Sequence, residues 1–195
     1  MKKKLKVGFD LDGVILYNPA RLVRPLVSLM KDYGLIKRKQ LQFYHPKTKV
    51  EREFWRLCHK TSIFVAPGFR DIKKLVDENK IEAYLITGRF SFLKHDLDKW
   101  LFKINADKIF TKHYYNRKNE QPHLFKKRML KELDLDIFVE DNWDIVNYLH
   151  TKTKSKKTKI FWVYNFLDNK IDYQYKFPGL WKVVTELKSL VRSKK

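Results

Sequence analysis

The chain has 195 residues, 44% of them hydrophobic and 15% aromatic, enough for one packed domain with a sizeable insertion; disorder is not the default. A formal charge of +21 favours anionic partners, whether phosphorylated metabolites, nucleic acid or an anionic membrane surface, unless the lysines only solvate the surface. Cys58 is the single cysteine, which excludes an internal disulfide framework and any multi-cysteine zinc site and fits a cytoplasmic protein.

The start, Met1-Lys2-Lys3-Lys4-Leu5, could open a signal peptide, but Asp10 and Asp12 cut its apolar region short. No apolar run approaches the length of a membrane span.

The first predicted strand is Leu5–Phe9. It runs into Asp10-Leu11-Asp12-Gly13, two carboxylates two residues apart and then a glycine turn. Carboxylates held that close repel unless a proton or a cation sits with them, and a hard, oxygen-seeking ion such as Mg²⁺ suits them. Between Val14 and Ala66 no strand is expected. Asn18-Pro19 reads as the start of one helix, with Pro25 kinking it or shifting its start, and Val50, Phe54, Leu57 and Cys58 mark a second. A basic, aromatic loop, 37–49, joins them.

From residue 67 onward helices and strands alternate. A helix with Phe69, Ile72, Leu75 and Val76 follows Pro67-Gly68, and a strand is expected at 81–86. Leu93, Leu97, Trp100, Leu101 and Ile104 predict the next helix, and 108–110 the next strand. Leu124, Met129, Leu130 and Leu133 predict a helix before a strand at 137–139. Asn142 is a plausible N-cap for a helix with Ile145, Val146 and Leu149. A strand at 160–163 and a last helix from Leu180 to Val191 complete the chain, after a basic surface loop at 151–159. This alternation predicts an α/β fold: a parallel sheet of about five strands with both faces covered. Residues 1–15 and 67–195 form its core domain, and 16–66 a small helical cap inserted after the first strand.

Polar signatures stand at three strand ends. Asp10 and Asp12 follow the first, Thr87-Gly88-Arg89 the second, and Glu140-Asp141-Asn142 the third. In open α/β sheets ligands sit beyond the carboxyl ends of the strands. Lys126 and Lys127 lie in a cluster near the start of the helix before the third of these strands. Each signature alone is weak, since turn residues, caps and solvated lysines look the same. Together, an acid pair, a hydroxyl, an ammonium group and a second acid pair make a phosphate site, the acids holding Mg²⁺.

These residues resemble the haloacid dehalogenase-like (HAD) hydrolase superfamily across nearly the whole chain. The first motif is similar to Asp-x-Asp-Gly, here Asp10-Leu11-Asp12-Gly13. The second is a hydroxyl residue after an apolar strand, here Thr87. The third is a lysine one helix before the fourth, with spacing that favours Lys126 over Lys127. The fourth is an acid pair after an apolar strand, here Glu140-Asp141. The resemblance implies a Rossmann-like sheet with a cap after the first motif. The short cap and the ending Asp136-Ile137-Phe138-Val139-Glu140-Asp141 look most like 5′(3′)-deoxyribonucleotidases and similar bacterial proteins.

What it implies for chemistry is a Mg²⁺-dependent phosphatase of a small phosphorylated metabolite, such as a nucleoside monophosphate. Asp10 would attack phosphorus and form an aspartyl-phosphate; Asp12 would protonate the leaving oxygen and then activate water. Thr87, Gly88 and Lys126 would hold the phosphoryl group. The ion would be bound by Asp10, the Asp12 backbone carbonyl and Asp141, with Glu140 binding it directly or orienting its water. Dehalogenases of the superfamily lack the second Asp and its transport ATPases carry Thr there, so Asp12 points to phosphate esters.

Cap residues Tyr17, Arg21, Arg24, Tyr44, His45, Trp55 and Arg56 could reach the substrate, or pack within the cap and face solvent. Arg89 either touches substrate or pins its loop. Two other readings use the charge: a polynucleotide end phosphatase, and a non-catalytic nucleic-acid-binding protein on the same scaffold. Nucleic acid is the less favoured partner, because a pure binder needs no acid cluster facing a polyanion. A membrane partner is not expected.

Overall fold

Side chains alternate across the central strand of this protein: Val7 and Phe9 enter one apolar cluster, while Gly8 faces Leu135 and Phe138 of another. The computed structural model describes residues 4–17, 41–60, 64–152, 158–165 and 168–193. Arg21, Arg24, the helix expected after Asn18-Pro19 and much of the basic loop at 151–159 lie outside them.

In chain order the described elements are β1 (Leu5–Phe9), β2 (Leu16–Tyr17), α1 (Lys49–Lys60), β3 (Phe64–Val65), α2 (Phe69–Asp77), β4 (Ile81–Phe90), α3 (Lys94–Lys103), β5 (Lys112–Asn116), α4 (Pro122–Glu132), β6 (Ile137–Glu140), α5 (Trp143–Lys152), β7 (Lys159–Val163), β8 (Lys176–Phe177) and α6 (Leu180–Ser193). The main sheet runs β5-β4-β1-β6-β7-β8, and every pairing in it is parallel. The sixth strand beyond the expected five is β8, a two-residue edge piece paired to Trp162 and Val163.

Period-two alternation sorts the core. Val7, Phe9, Leu85, Val139 and Phe161 pack with residues of α2, α3 and α6 on one face. Ile86, Phe138, Ile160 and Trp162 pack with residues of α4 and α5 on the other. A Cβ on Gly8 would come within 2.7 Å of a Leu135 methyl and 2.9 Å of the Phe138 ring, so β1 approaches that second face as bare backbone.

Two sequence expectations are corrected. The strand expected at 108–110 is β5, starting at Lys112; Ala106–Lys108 form a 3₁₀ turn, and Ile109 and Phe110 plug the core. An edge strand needs no continuous apolar run, and Lys-His-Tyr-Tyr-Asn gave no such signal. The interval expected to hold no strand contains β2 and β3, an antiparallel pair where the chain leaves and re-enters the core. Two-residue strands are too short for periodicity to register.

Between its stems the insert contributes α1. Thr48 and Glu51 form a capping box at its start: the Glu51 amide donates to Thr48 Oγ1 at 3.2 Å, and Glu51 Oε2 accepts from the amides of Thr48 and Lys47 at 2.9 and 2.7 Å. The segment before α1 is fastened to the core. Phe43 and the Gln121 side chain exchange hydrogen bonds of 2.7 and 3.2 Å, and His45 packs edge-on against Phe90 at 4.6 Å. Among the described residues, no helix is long and apolar enough to cross a membrane.

Candidate active site

Register brings the site together before any side chain does. Phe9 pairs with Leu85 on one side and with Val139 on the other, so β1 lies between β4 and β6 at the point where the chain's winding reverses. The Asp10 amide then donates to the Val139 carbonyl at 2.9 Å, which sets Asp10 beside Glu140. Asp10 and Glu140 continue the alternation of Gly8 and Phe138, and therefore face the side covered by α4.

From that side comes Lys126. Its ammonium stands 2.6 Å from Glu140 Oε2 and 3.1 Å from Asp10 Oδ2, and its side chain is 3% exposed. Lys127 points elsewhere, its ammonium 5.7 Å from the Tyr148 ring centroid. The helical phase explains the choice: Lys126 shares a stripe with the buried Met129 and Leu130, three and four residues on. Gly88 makes room for it, since a Cβ there would meet Pro122 at 3.1 Å and Lys126 Cε at 3.8 Å. The strand expected at 81–86 does not stop there. Strand β4 continues to Phe90 with an irregularity against β5 between Thr87 and Phe90, and Gly88 is not among the glycines of positive φ. Thr87 is buried, and its hydroxyl accepts the Arg89 amide at 3.3 Å.

Asp12 has a different partner. The strand ends at Phe9, and residues 11–16 close a tight loop in which the Gly13 amide donates to Leu16 at 2.8 Å. The Arg89 guanidinium grips Asp12 with two parallel bonds, Nε to Oδ2 at 2.7 Å and NH2 to Oδ1 at 2.6 Å. The side chain of Arg89 is 1% exposed. Arg89 thus holds a carboxylate of the first motif. Gly13 has φ +86°, and a Cβ there would run into the Asp141 carboxylate, so the turn after Asp12 lies directly over the second acid pair.

One carboxylate oxygen each from Asp10, Glu140 and Asp141 lies within 4.8 Å of the others, all three residues buried. Burial pushes the Asp10 carboxyl well above its usual range; Lys126 opposes this, and Glu140, Asp141 and Asp12 reinforce it. Glu140 is pushed up in the same way, by burial first and then by Asp141, against the pull of Lys126. Burial alone would lower the Lys126 ammonium, but Asp10 and Glu140 override it and hold it charged. Lys126 thus serves two of the three acids, Asp10 and Glu140. A buried, all-oxygen donor set is the chemistry that fits Mg²⁺.

A pH prediction follows from the raised Asp10 carboxyl. The folded protein holds the Asp10 proton more tightly than the unfolded chain does. Its metal-free stability relative to Asp10→Asn is therefore greatest below the ordinary carboxyl value of 3.8 and falls as pH rises through the raised folded value. Thermal melts of both proteins in EDTA from pH 4 to 8 check this; a difference that stays flat or grows with pH refutes it.

Other residues singled out in the sequence make contacts of their own. Tyr44 is exposed, and its phenol is pushed up by its hydrogen bond to Glu51. Trp55 sits between Tyr44 and His59, at ring separations of 5.9 and 6.4 Å. Arg56 bonds Glu53 and donates to the Phe92 carbonyl at 3.2 Å. Asn142 caps α5 as expected, its Oδ1 accepting the amides of Asp144 and Ile145 at 3.0 and 3.4 Å. A residue that sequence reasoning missed is Trp162, whose indole donates to the Asp141 carbonyl at 3.2 Å and steadies the second acid pair from β7. Nothing local to Trp162 signals that role.

No protein-family model matches this sequence, and no curated protein matches it. Solved structures do match in fold. A HAD-superfamily hydrolase from Ehrlichia chaffeensis superposes with a TM-score of 0.55 at 11% identity, over 98% of this chain and 99% of that one. CbbY from Rhodobacter sphaeroides, in complex with phosphate, gives 0.57 at 13% identity over 93% and 96%. The HAD-type protein YfnB from Bacillus subtilis, bound to magnesium, gives 0.61 at 12% identity over 96% and 100%. At such identities the likeness is one of fold. The chain has the Rossmann-like α/β architecture of HAD-superfamily hydrolases.

Proposed function

We propose that this protein is a Mg²⁺-dependent phosphatase acting on a small phosphorylated metabolite through an aspartyl-phosphate. The observation that carries this reading is the buried set of Asp10, Glu140 and Asp141 around the Lys126 ammonium, at the carboxyl end of the central strand. The fold shared with HAD-superfamily hydrolases, one bound to phosphate and one to magnesium, supports it.

Glu140 has both oxygens engaged, Oε2 by Lys126 and Oε1 by the amides of Asp141 and Asn142 at 3.2 and 3.0 Å. Its role is to orient Lys126 and the motif backbone, while Asp10 and Asp141, the other carboxylates of the cluster, would hold Mg²⁺. Bound there, the ion would offset the negative charge of the phosphoryl oxygens and of the attacking carboxylate.

Asp10 attacks phosphorus, the ester P–O bond breaks, and Asp12 gives its proton to the leaving oxygen. In the second step Asp12 takes a proton from water as the water oxygen attacks phosphorus. The acyl-phosphate P–O bond breaks, returning Asp10 and releasing phosphate. Bidentate pairing to Arg89 is the geometry of an ionised carboxylate, the form required for the second step. Asp12 must turn out of that pair to serve the first. Thr87 and Lys126 hold phosphoryl oxygens.

The β6 ending resembles that of nucleotidases, so nucleoside monophosphates belong in the substrate panel beside more compact phosphate esters. The test is hydrolysis of 4-nitrophenyl phosphate and of a metabolite panel, with Mg²⁺ or with EDTA. Turnover should need Mg²⁺; equal rates in EDTA would sink the proposal.

A further inference from the structure

Beside Arg89 lies a cavity of about 180 Å³ between the end of α1 and α3, lined by His59, Lys60, Arg89, Asp96, Lys99 and Trp100. Resting on the phosphatase reading, we propose that this cavity receives a second anionic group, phosphoryl or carboxyl, carried by the leaving portion of the substrate. The substrate class is then a compact bisphosphate or carboxylated phosphomonoester.

The charge lining the cavity points that way. Two exposed lysines, Lys60 and Lys99, belong to the lining. The lone acid of the lining, Asp96, lies 3.8 Å from Arg56 Nε. His59 uses Nδ1 on the Trp55 carbonyl at 2.9 Å. Trp100 supplies an apolar wall, with the Lys103 ammonium 4.6 Å from its ring centroid.

Arg89 provides the second, independent sign. Its Nε and NH2 are spent on Asp12, but its NH1 is buried with no hydrogen-bond partner. A buried guanidinium nitrogen left unpaired is costly, and an anion in the cavity would satisfy it. Arg89 thus both binds the carboxylate that serves the leaving oxygen and lines the cavity. On this proposal a group bonded to that oxygen extends past Asp12 toward the cavity. The volume is below the ~300 Å³ at which drug-sized ligands begin to fit, which favours a compact anionic group over a nucleoside.

The test compares kcat/KM for butane-1,4-diol bisphosphate and 4-phosphooxybutanoate with that for butyl phosphate. Wild type should prefer a doubly anionic probe by about tenfold, as a charge-assisted hydrogen bond implies. The two probes separate a phosphoryl from a carboxyl preference. Lys60→Ala/Lys99→Ala should bring the ratio close to one; both lysines are exposed, so the fold is not at stake. Lys73→Ala/Lys182→Ala removes the same charge elsewhere on the surface and should keep the preference. Absence of the preference in wild type, its survival in Lys60→Ala/Lys99→Ala, or an equal loss in the control pair would overturn the proposal. If no probe is hydrolysed, the phosphatase reading fails on its own. Calorimetric binding of the bisphosphate then decides the cavity, tight in wild type and lost in Lys60→Ala/Lys99→Ala if it is an anion site, and unchanged by the variant if it is not.

Discussion

Replacing Asp10 by Asn is expected to lower turnover of an aryl phosphate by ~10⁴-fold or more, with the folded protein retained. The amide is nearly the same size as the carboxylate but is not a nucleophile, and it contributes no charge to a bound cation. Stability should behave in the opposite sense. Asp10 is buried, and burial beside Glu140 and Asp141 outweighs its attraction to Lys126, so the neutral amide relieves an electrostatic cost. Near neutral pH and without metal, Asp10→Asn should melt at or above the wild-type temperature. Steady-state rates in Mg²⁺, acid-quench trapping of a phosphorylated protein and a melt in EDTA together check this. A rate within tenfold of wild type would rule Asp10 out as the nucleophile. A collapse in melting temperature would show that its charge holds the fold.

Lys126→Met should have the largest effect on stability. The thioether chain keeps most of the lysine stem's volume but removes the ammonium that stands 2.6 Å from Glu140 and 3.1 Å from Asp10. Taking one partner from a buried ion cluster leaves uncompensated charge, which costs about 3–5 kcal/mol. For a chain of this length that is a fall of about 10 °C in melting temperature. Millimolar Mg²⁺ should restore part of it, because a cation that binds only the folded state stabilises it by mass action, ~2.7 kcal/mol at a hundredfold excess over Kd. A variant that melts within two or three degrees of wild type at pH 7 in EDTA would contradict the cluster as described. Loss without any recovery in Mg²⁺ would argue that the acids do not take the ion.

Much of this site was legible before any coordinates. The apolar run into Asp10 ends where the sequence places it, and Glu140-Asp141 follows β6 with Asn142 capping the next helix. Such signals are local: a strand reads as a short apolar run, a cap as a side chain near free amides. Lys126 was legible in part from its spacing before Glu140-Asp141; its stripe with the buried Met129 and Leu130 shows why it, and not Lys127, turns inward. Strand β5 was misplaced because its partner β4 supplies the pairing that its own polar residues do not advertise. The β2–β3 stem was missed because two residues have no period.

The sequence by itself determined where β1 and β6 end, the residue types gathered there and therefore the chemistry on offer: carboxylates, a hydroxyl, an ammonium group and the turn at Gly13. Only the tertiary structure decided which charges meet. It assigned Lys126 to Asp10 and Glu140, and it assigned Arg89 to Asp12 on one side and to a basic cavity on the other. The strength of a charge pair depends on distance and burial, and both are set by elements far apart in the chain. No local pattern in the sequence carries that information.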